Sequence, residues 1–187
     1  YLKYIDERPG SNGLFTDEGV PIVLSQAQKE MNEHPGNIWT HIISLRREDA
    51  ERLGFNTTDA WMHLLRSQRN IIAQQMKIAP ENFRWYAAFH NEGHHPHVHM
   101  MAYSVNPNEA YLSTKGIETI KSNLAQEIFR QDLLQIYQKQ TDLRDELRQE
   151  SRDRITEIVD AINHGSFDNP QMQMMLVQLA DSLAKAK

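Results

Sequence analysis

Three histidines that lie close together in the chain have the spacing needed to hold one metal ion. They are His90, His97 and His99. Alternate side chains of a β-strand point to the same face, so His97 and His99 would project together while Val98 between them points into a core. This alternation favours an ordered site. A histidine-rich loop and an adventitious metal trap are the alternatives.

A β-hairpin would bring the remaining histidine to this pair. Residues 84–89 are predicted to form a strand, and Asn91-Glu92-Gly93 supplies the residue types of a turn. The chain would then return and place His90 beside the other two imidazoles. His94 and His95 lie in the turn, and the pattern assigns them no role.

Such a site suits catalysis better than a purely structural role. Three neutral imidazoles leave coordination positions open for a substrate oxygen and for water, which zinc would accept. In phosphodiester chemistry, a cation polarises the non-bridging oxygens while a nucleophile is aligned behind the phosphorus. A tyrosine can be that nucleophile and form a covalent intermediate. Tyr1 and Tyr4 lie on a predicted short helix from which they could approach the strands.

The hydrophobic periodicity predicts an α/β (α+β) domain with a central antiparallel sheet and flanking helices. The turns and helix ends are marked by Pro9-Gly10, a capping box of Ser25 with Gln28, Gly54, and a cap at residues 57–59. In chain order we predict a helix over 1–8, a loop over 10–24, a helix over 25–32, a strand over 38–46 in the centre of the sheet, a helical turn over 48–53, a helix from 57 to about 78, and the histidine hairpin.

The remainder of the chain is predicted to be helical. Ser113 or Thr114 begins one helix, and residues 133–162 form a long helix or a helical hairpin that ends at Gly165. Asn169-Pro170 begins a last helix with a methionine-rich stripe, which is typical of an adaptable packing surface. We therefore expect a domain over residues 1–125 and a helical extension over 126–187.

Composition limits the setting and the partners of the protein. The 187 residues carry a formal net charge of −5, which argues against a general nucleic-acid binder, so attraction for phosphate must be local. The chain has no cysteine, and its sequence has no apolar run of transmembrane length, so we expect a cytoplasmic protein. Because the chain begins at Tyr1 without a methionine, we expect a fragment that lacks its first strand.

Two motifs resemble those of a known family. The arrangement His90-x6-His97-Val98-His99 is similar to the third motif of the MobP-type conjugative relaxases of the HUH endonuclease superfamily. The opening Tyr1-Leu2-Lys3-Tyr4-Ile5 resembles their tyrosine motif, which precedes the histidines in that family. The order of elements matches over about residues 1–130. The resemblance thus implies an HUH relaxase-like fold with a helical C-terminal extension.

The resemblance also implies roles for single residues. Tyr4 corresponds best to the nicking tyrosine, with Tyr1 as second choice, and the three histidines correspond to the metal ligands. Glu92 falls where such motifs carry an acidic residue, and its carboxylate would orient a ligand imidazole through the second ring nitrogen.

The implied activity is site- and strand-specific nicking and rejoining of DNA at an origin of transfer. Family members use Mg²⁺ or Mn²⁺ in the cell, whereas histidine ligands also suit Zn²⁺, Ni²⁺ or Co²⁺. The implied partners are single-stranded DNA, the origin hairpin, accessory relaxosome proteins and a type IV coupling protein. The implied location is the bacterial cytoplasm.

Three other functions fit parts of the pattern. Residues 95–101 match the signature of the histidine-triad nucleotide hydrolases, which need no metal. A rolling-circle replication initiator would need a tyrosine after the histidines, either Tyr111 with Lys115 or Tyr137. A non-catalytic partner-binding module could use zinc to staple the hairpin, with His41 as fourth ligand.

Overall fold

The computed structural model describes residues 1–19, 22–164 and 170–185. Helices flank one antiparallel sheet and continue beyond it toward the C-terminal end, as the sequence predicted. In chain order, the elements are α1 (Leu2–Glu7), β1 (Ser11–Phe15), α2 (Leu24–Glu33), β2 (Ile38–Ser44), α3 (Arg47–Leu53), α4 (Thr58–Gln75), β3 (Phe83–His90), β4 (His97–Ser104), α5 (Thr114–Ile128), α6 (Arg130–Asn163) and α7 (Pro170–Lys185).

The sheet has the strand order β1-β3-β4-β2. Its centre is the β3–β4 hairpin, which is paired from Phe83 opposite Ser104 to His90 opposite His97. Every residue of β4 is buried, because this strand has a neighbour on each side and packed layers on both faces. The predicted histidine hairpin is thus confirmed, and it is the innermost part of the domain.

The prediction that the strand over 38–46 lies in the centre of the sheet was wrong. β2 pairs only with β4 and forms an edge of the sheet. Thr40, Ile42 and Ser44 on one of its faces are exposed. Alternation of apolar residues on both faces suggested a central strand, but the layer that covers the hairpin leaves this face of β2 open.

The loop predicted over residues 10–24 contains a strand. β1 forms the opposite edge of the sheet and pairs with β3, with Ser11 opposite His90 and an irregularity between Ser11 and Leu14. Gly13 lies in this irregular part at a φ of 82°, where a left-handed backbone favours glycine. The interruption leaves too few alternating residues for the strand to be recognised from periodicity.

The helix starts were predicted with mixed success. The side chains of Thr57 and Ser113 accept hydrogen bonds from the first turns of α4 and α5, as expected. The capping box at Ser25 was wrong: α2 begins one residue earlier, with Val23 at the cap and no side-chain cap bond. α4 ends at Gln75, before the predicted position near residue 78, and Lys77 takes a φ of 57°.

Two apolar layers cover the sheet. One face packs on α4 and α5 and contains the buried Trp61, Trp85 and Val98. The other face packs on α1 and α2, whose buried residues Leu2, Ile5, Ala27 and Met31 lie against Ala88, Met101 and Tyr103. The histidines belong to this second face, so α1 and α2 determine what surrounds them.

The C-terminal part is an extended helical unit. The chain divides into two compact units, Tyr1–Leu133 and Leu134–Lys187. α6 is one continuous helix of 34 residues, none of them buried, which decides between the two predicted forms in favour of the long helix. The boundary at residue 125 falls within α5, and our division into a domain and an extension stays a prediction.

Parts of the last predicted helix lie outside the described residues. They include the predicted helix end at Gly165 and helix start at Asn169, together with the side chains of Met172 and Leu183. Met174 and Met175 are each 66% exposed. Among the described residues, no helix is long and apolar enough to cross a membrane.

The end of α3 gives a test of the fold. Gly54 has a φ of 79° and its N–H closes the helix on carbonyls of the preceding turn. We expect Gly54→Ala to lower the free energy of unfolding by about 1 kcal/mol, because an L-residue is disfavoured in this conformation. Gly93→Ala is the control, since Gly93 lacks a positive φ and an added Cβ meets no atom within 4 Å. Urea denaturation of both variants measures the difference, and equal losses would contradict the assignment.

Candidate metal centre

The register of the hairpin places the three histidines on one face of the sheet. His90 lies directly opposite His97, and His99 lies opposite Ala88, two residues further along β4. The ring centroids are 5.1 Å apart for His90–His97, 4.8 Å for His90–His99 and 4.9 Å for His97–His99. One ring nitrogen from each histidine lies within 4.8 Å of the other two. The three side chains could therefore hold one metal ion.

Burial disfavours a positive charge on two of the three imidazoles, those of His90 and His99. His90 is fully buried, and His99 and His97 are 5% and 9% exposed. Burial, followed by the neighbouring His90 and His97, lowers the pKa of His99 to about 4. Burial also lowers the pKa of His90, against a smaller opposite effect of its hydrogen bond with a carbonyl. Neutral imidazole is the form that binds metals, so these two side chains need lose no proton on binding at neutral pH.

Each imidazole has one nitrogen paired with protein. His90 Nε2 lies 2.6 Å from the Ile5 carbonyl, and His97 Nδ1 lies 2.8 Å from the His95 carbonyl. Both nitrogens must donate, since a carbonyl oxygen only accepts, which leaves His90 Nδ1 and His97 Nε2 with free lone pairs. Such outer partners fix the tautomer and orientation of metal-binding histidines.

Two buried nitrogens of this cluster have no hydrogen-bond partner among the described residues. They are His90 Nδ1 and His99 Nε2. An unpaired buried polar atom is costly unless something binds it. Since both belong to the cluster of three imidazoles, a divalent cation fits this set of donors.

The tyrosines reach the cluster from α1. Leu2 and Ile5 anchor this helix in the apolar layer, which leaves Tyr1 and Tyr4 53% and 54% exposed at its surface. The Tyr1 hydroxyl lies 2.9 Å from His99 Nδ1. Burial, followed by the neighbouring Tyr4, raises the pKa of Tyr1, so its phenol stays protonated at neutral pH. Tyr1 therefore contacts the cluster directly.

Tyr4 has a different partner. Its hydroxyl accepts a hydrogen bond from Arg8 Nη1 at 2.9 Å, and its ring centroid lies 6.2 Å from that of Tyr1. Arg8 also forms an ion pair with Glu92 at 2.8 Å. The second nitrogens of His90 and His97 pair with carbonyls, so the contact of Glu92 is with Arg8 and not with an imidazole. Tyr4, Arg8 and Glu92 thus form a chain of polar contacts at the edge of the site.

Arg47 is a part of the site that the sequence analysis missed. Its guanidinium donates to three residues of the turn between β3 and β4: Nε to the Gly93 carbonyl at 3.0 Å, Nη1 to Asn91 Oδ1 at 2.8 Å, and Nη2 to the Glu92 carbonyl. The backbone N–H of Arg47 donates to the His94 carbonyl at 3.1 Å. One side chain from α3 therefore holds the turn that connects His90 to His97. The sequence carries no local signal for this contact, because 44 residues separate Arg47 from Asn91.

Other candidate residues lie away from the cluster. His41 lies opposite Met100, so it is on the other face of the sheet and cannot be the fourth ligand of a zinc staple. His94 and His95 are exposed in the turn. Tyr111 is 76% exposed, and its backbone pairs with Met76 at the end of α4, on the side of the sheet opposite the histidines.

The fold and site define an α+β protein with a candidate metal centre on its sheet and tyrosines beside it. The family model of the MobL relaxases matches residues 1–187, and the chain belongs to this family. It is therefore a relaxase, a class of protein that acts in conjugative mobilisation and binds single-stranded DNA. No match was found among curated proteins or among solved structures.

Removal of one imidazole tests the metal centre. We expect His97→Ala to weaken Mn²⁺ or Co²⁺ binding by about 100-fold or more, since even loss of an outer partner of a ligand costs roughly 10- to 100-fold. His95→Ala is the matched control, because His95 is exposed and contributes only its carbonyl, which alanine retains. Isothermal titration calorimetry measures both affinities. Equal binding by the two variants would contradict the site.

The Arg47 contacts give a second prediction. We expect Arg47→Ala and Arg47→Lys each to weaken Co²⁺ binding by about 10-fold and to change the Co²⁺ absorption spectrum, because alanine removes all three contacts and the single nitrogen of lysine cannot reproduce the planar fork of the guanidinium. Arg52→Ala is the control, since Arg52 lies on the same helix and pairs with Asp49 and Asp132 instead. An unchanged spectrum in both Arg47 variants would show that the turn needs no such support.

Proposed function

We propose that this relaxase nicks and rejoins one DNA strand at an origin of transfer, through a covalent link between a tyrosine and the 5′ phosphate. The observation that carries the proposal is the convergence of three imidazoles, with the Tyr1 hydroxyl in contact with one of them. The proposal is finer than family membership, because it assigns the chemistry to named side chains.

Tyr4 is the proposed nucleophile. It occupies the matching position of the relaxase tyrosine motif that the opening residues resemble, and its hydroxyl is exposed to a substrate at the edge of the site. Arg8 donates to this hydroxyl at 2.9 Å, and a positive charge at that distance favours the phenolate as it forms. Glu92 pairs with the same guanidinium and would hold it in place.

Tyr1 has a supporting role in this proposal. Its hydroxyl is the partner of His99 Nδ1, just as carbonyls are the partners of His90 and His97. All three imidazoles would then have one nitrogen oriented by protein and one left for the metal. Tyr1 remains the second candidate for the nucleophile, since it is the tyrosine that contacts the cluster.

The reaction transfers a phosphoryl group without net hydrolysis. The Tyr4 oxygen forms a bond to phosphorus as the bond to the 3′ oxygen breaks, and this oxygen leaves with the electron pair and takes up a proton. The tyrosine proton passes to solvent or to a nearby base. The released 3′ hydroxyl can later attack the phosphotyrosyl group and restore both the strand and the free tyrosine.

His90, His97 and His99 are the proposed metal ligands. A divalent cation held by these residues would supply positive charge to the scissile phosphate. The resemblance to relaxases of the MobP type and the HUH superfamily favours Mg²⁺ or Mn²⁺ in the cell. Imidazole ligands favour Zn²⁺, Ni²⁺ or Co²⁺ on chemical grounds.

The partners follow from the same proposal. The substrate would be single-stranded DNA beside the hairpin of an origin of transfer, with accessory relaxosome proteins and a type IV coupling protein in the bacterial cytoplasm. Residues 1–125 would carry the nuclease activity, and the helical extension over 126–187 would serve binding instead of chemistry. The family match favours this function over a nucleotide hydrolase, a replication initiator or a zinc-stapled module.

Two conservative variants separate the roles of the tyrosines. Tyr4→Phe removes only the nucleophilic oxygen, so we expect it to abolish the SDS-resistant adduct with a labelled single-stranded origin oligonucleotide while metal affinity is unchanged. Tyr1→Phe removes the partner of His99, so we expect metal affinity to fall by about 10-fold and the adduct to return at saturating Mn²⁺.

The opposite pattern would move the nucleophile to Tyr1. A full adduct with Tyr4→Phe and none with Tyr1→Phe at any Mn²⁺ concentration would overturn the assignment but keep the mechanism. Full cleavage in excess EDTA by the wild-type chain would overturn the metal-dependent mechanism itself.

A further inference from the structure

The open face of β2 lies beside the candidate metal centre. Ile42 is opposite His99 in the β2–β4 register, and Ser44 is opposite His97. Directly opposite residues of antiparallel strands share a face, with Cβ atoms roughly 5 Å apart. Ile42 and Ser44 therefore stand on the same side of the sheet as the imidazoles and in the next row.

This face is accessible in the described part of residues 1–133. Thr40, Ile42 and Ser44 are exposed, and Ile42 keeps 64% of its surface open. The apolar layer of α1 and α2 covers β3 and β4 and reaches Ile38 at the start of β2, but it includes none of Thr40, Ile42 and Ser44. An exposed isoleucine flanked by two hydroxyl side chains forms a surface that is apolar in the middle and can hydrogen-bond at its sides.

Arg46 extends the same row beyond the end of the strand. Leu45 turns into the opposite core and its N–H continues the ladder by donating to the Pro96 carbonyl. Since Arg46 has an extended backbone, with φ −68° and ψ 149°, alternation directs its side chain to the histidine side. The Arg46 side chain is exposed and makes no hydrogen bond or ion pair with the described residues, unlike the side chains of Arg8 and Arg47.

We propose that Thr40, Ile42, Ser44 and Arg46 form the track along which the single strand of DNA enters the metal centre. The surface is continuous with the candidate centre, and its four side chains include an unpaired cation and no acid, which suits a phosphodiester. The apolar Ile42 offers a contact for a base or sugar, as in other single-strand sites. This inference rests on the proposed DNA-nicking function.

The track can be tested with a probe that needs no knowledge of the nick site. We would measure the affinity of the full chain for a fluorescein-labelled oligothymidylate of about 20 nucleotides by anisotropy, over a range of salt concentrations in the presence of Mn²⁺. Arg46→Ala should weaken binding and reduce the slope of log K against log [salt] by about 0.7, the loss of one phosphate contact. Lys115→Ala removes an equally exposed charge from α5, on the other side of the sheet, and should change neither quantity.

The apolar contact has its own signature. Ile42→Ala should weaken binding by about 3- to 10-fold with an unchanged salt slope, because it removes packing surface and no charge. Val105→Ala is the matched control, since Val105 is 49% exposed just beyond the other end of β4. Both substituted side chains are exposed, so the variants should fold like the wild-type protein.

The outcomes distinguish a failure of the proposed track from a failure of the proposed DNA-nicking function. Suppose that the wild-type chain binds the oligothymidylate, and that Arg46→Ala changes the affinity and the salt slope no more than Lys115→Ala does. DNA then binds elsewhere, and the proposed track is wrong. An unaltered affinity in Ile42→Ala would exclude the apolar contact. If the wild-type chain fails to bind the probe at all, the proposed function fails as well.

Discussion

The pairing of β3 with β4 is the constraint on which the site depends. His90 and His97 face each other across the ladder, and His99 follows on the same side. Because side chains alternate along a strand, a slip of one residue would send one strand's histidines into the opposite core and separate them from the others. The fully buried Val98 and Phe89 oppose such a slip, since they would be moved onto the histidine face. The apolar core thereby holds the register that brings the imidazoles together.

Burial of three imidazoles costs free energy, which contacts with the surrounding residues partly offset. The Ile5 carbonyl pairs with one nitrogen of His90, and the His95 carbonyl pairs with one nitrogen of His97. The Tyr1 hydroxyl contacts one nitrogen of His99. Desolvation keeps His90 and His99 neutral, so these two imidazoles bury no positive charge. What is left are buried lone pairs aimed at a common space, and a metal cation is the chemical group that satisfies several of them at once.

The site is assembled from distant segments that have no stable position alone. α1 has six residues, too few to be a stable helix in isolation, and is held by the burial of Leu2 and Ile5. Arg47 on α3 holds the turn between the ligand strands from the other side. The open face of β2 belongs to the same packing, because the apolar layer of α1 and α2 covers β3 and β4 and reaches only Ile38 of β2. The same packing of helices on the sheet thus positions the histidines and leaves the neighbouring face of β2 accessible.

Much of this protein is determined by local sequence. Some signals act over a few residues: the alternation of His97, Val98 and His99, the turn residues after His90, and the caps at Thr57 and Ser113. The hairpin, the cluster of three histidines and the main helices could therefore be predicted. The local sequence did not predict the strand order, the edge position of β2, the short β1 or the contacts of Arg47. These depend on which apolar surfaces meet across long stretches of chain, and backbone periodicity does not encode that choice.

The contacts of the tyrosines also depend on tertiary structure. The sequence places Tyr1 and Tyr4 on one helix, but only the packing of that helix on the sheet brings Tyr1 to His99 and Arg8 to Glu92.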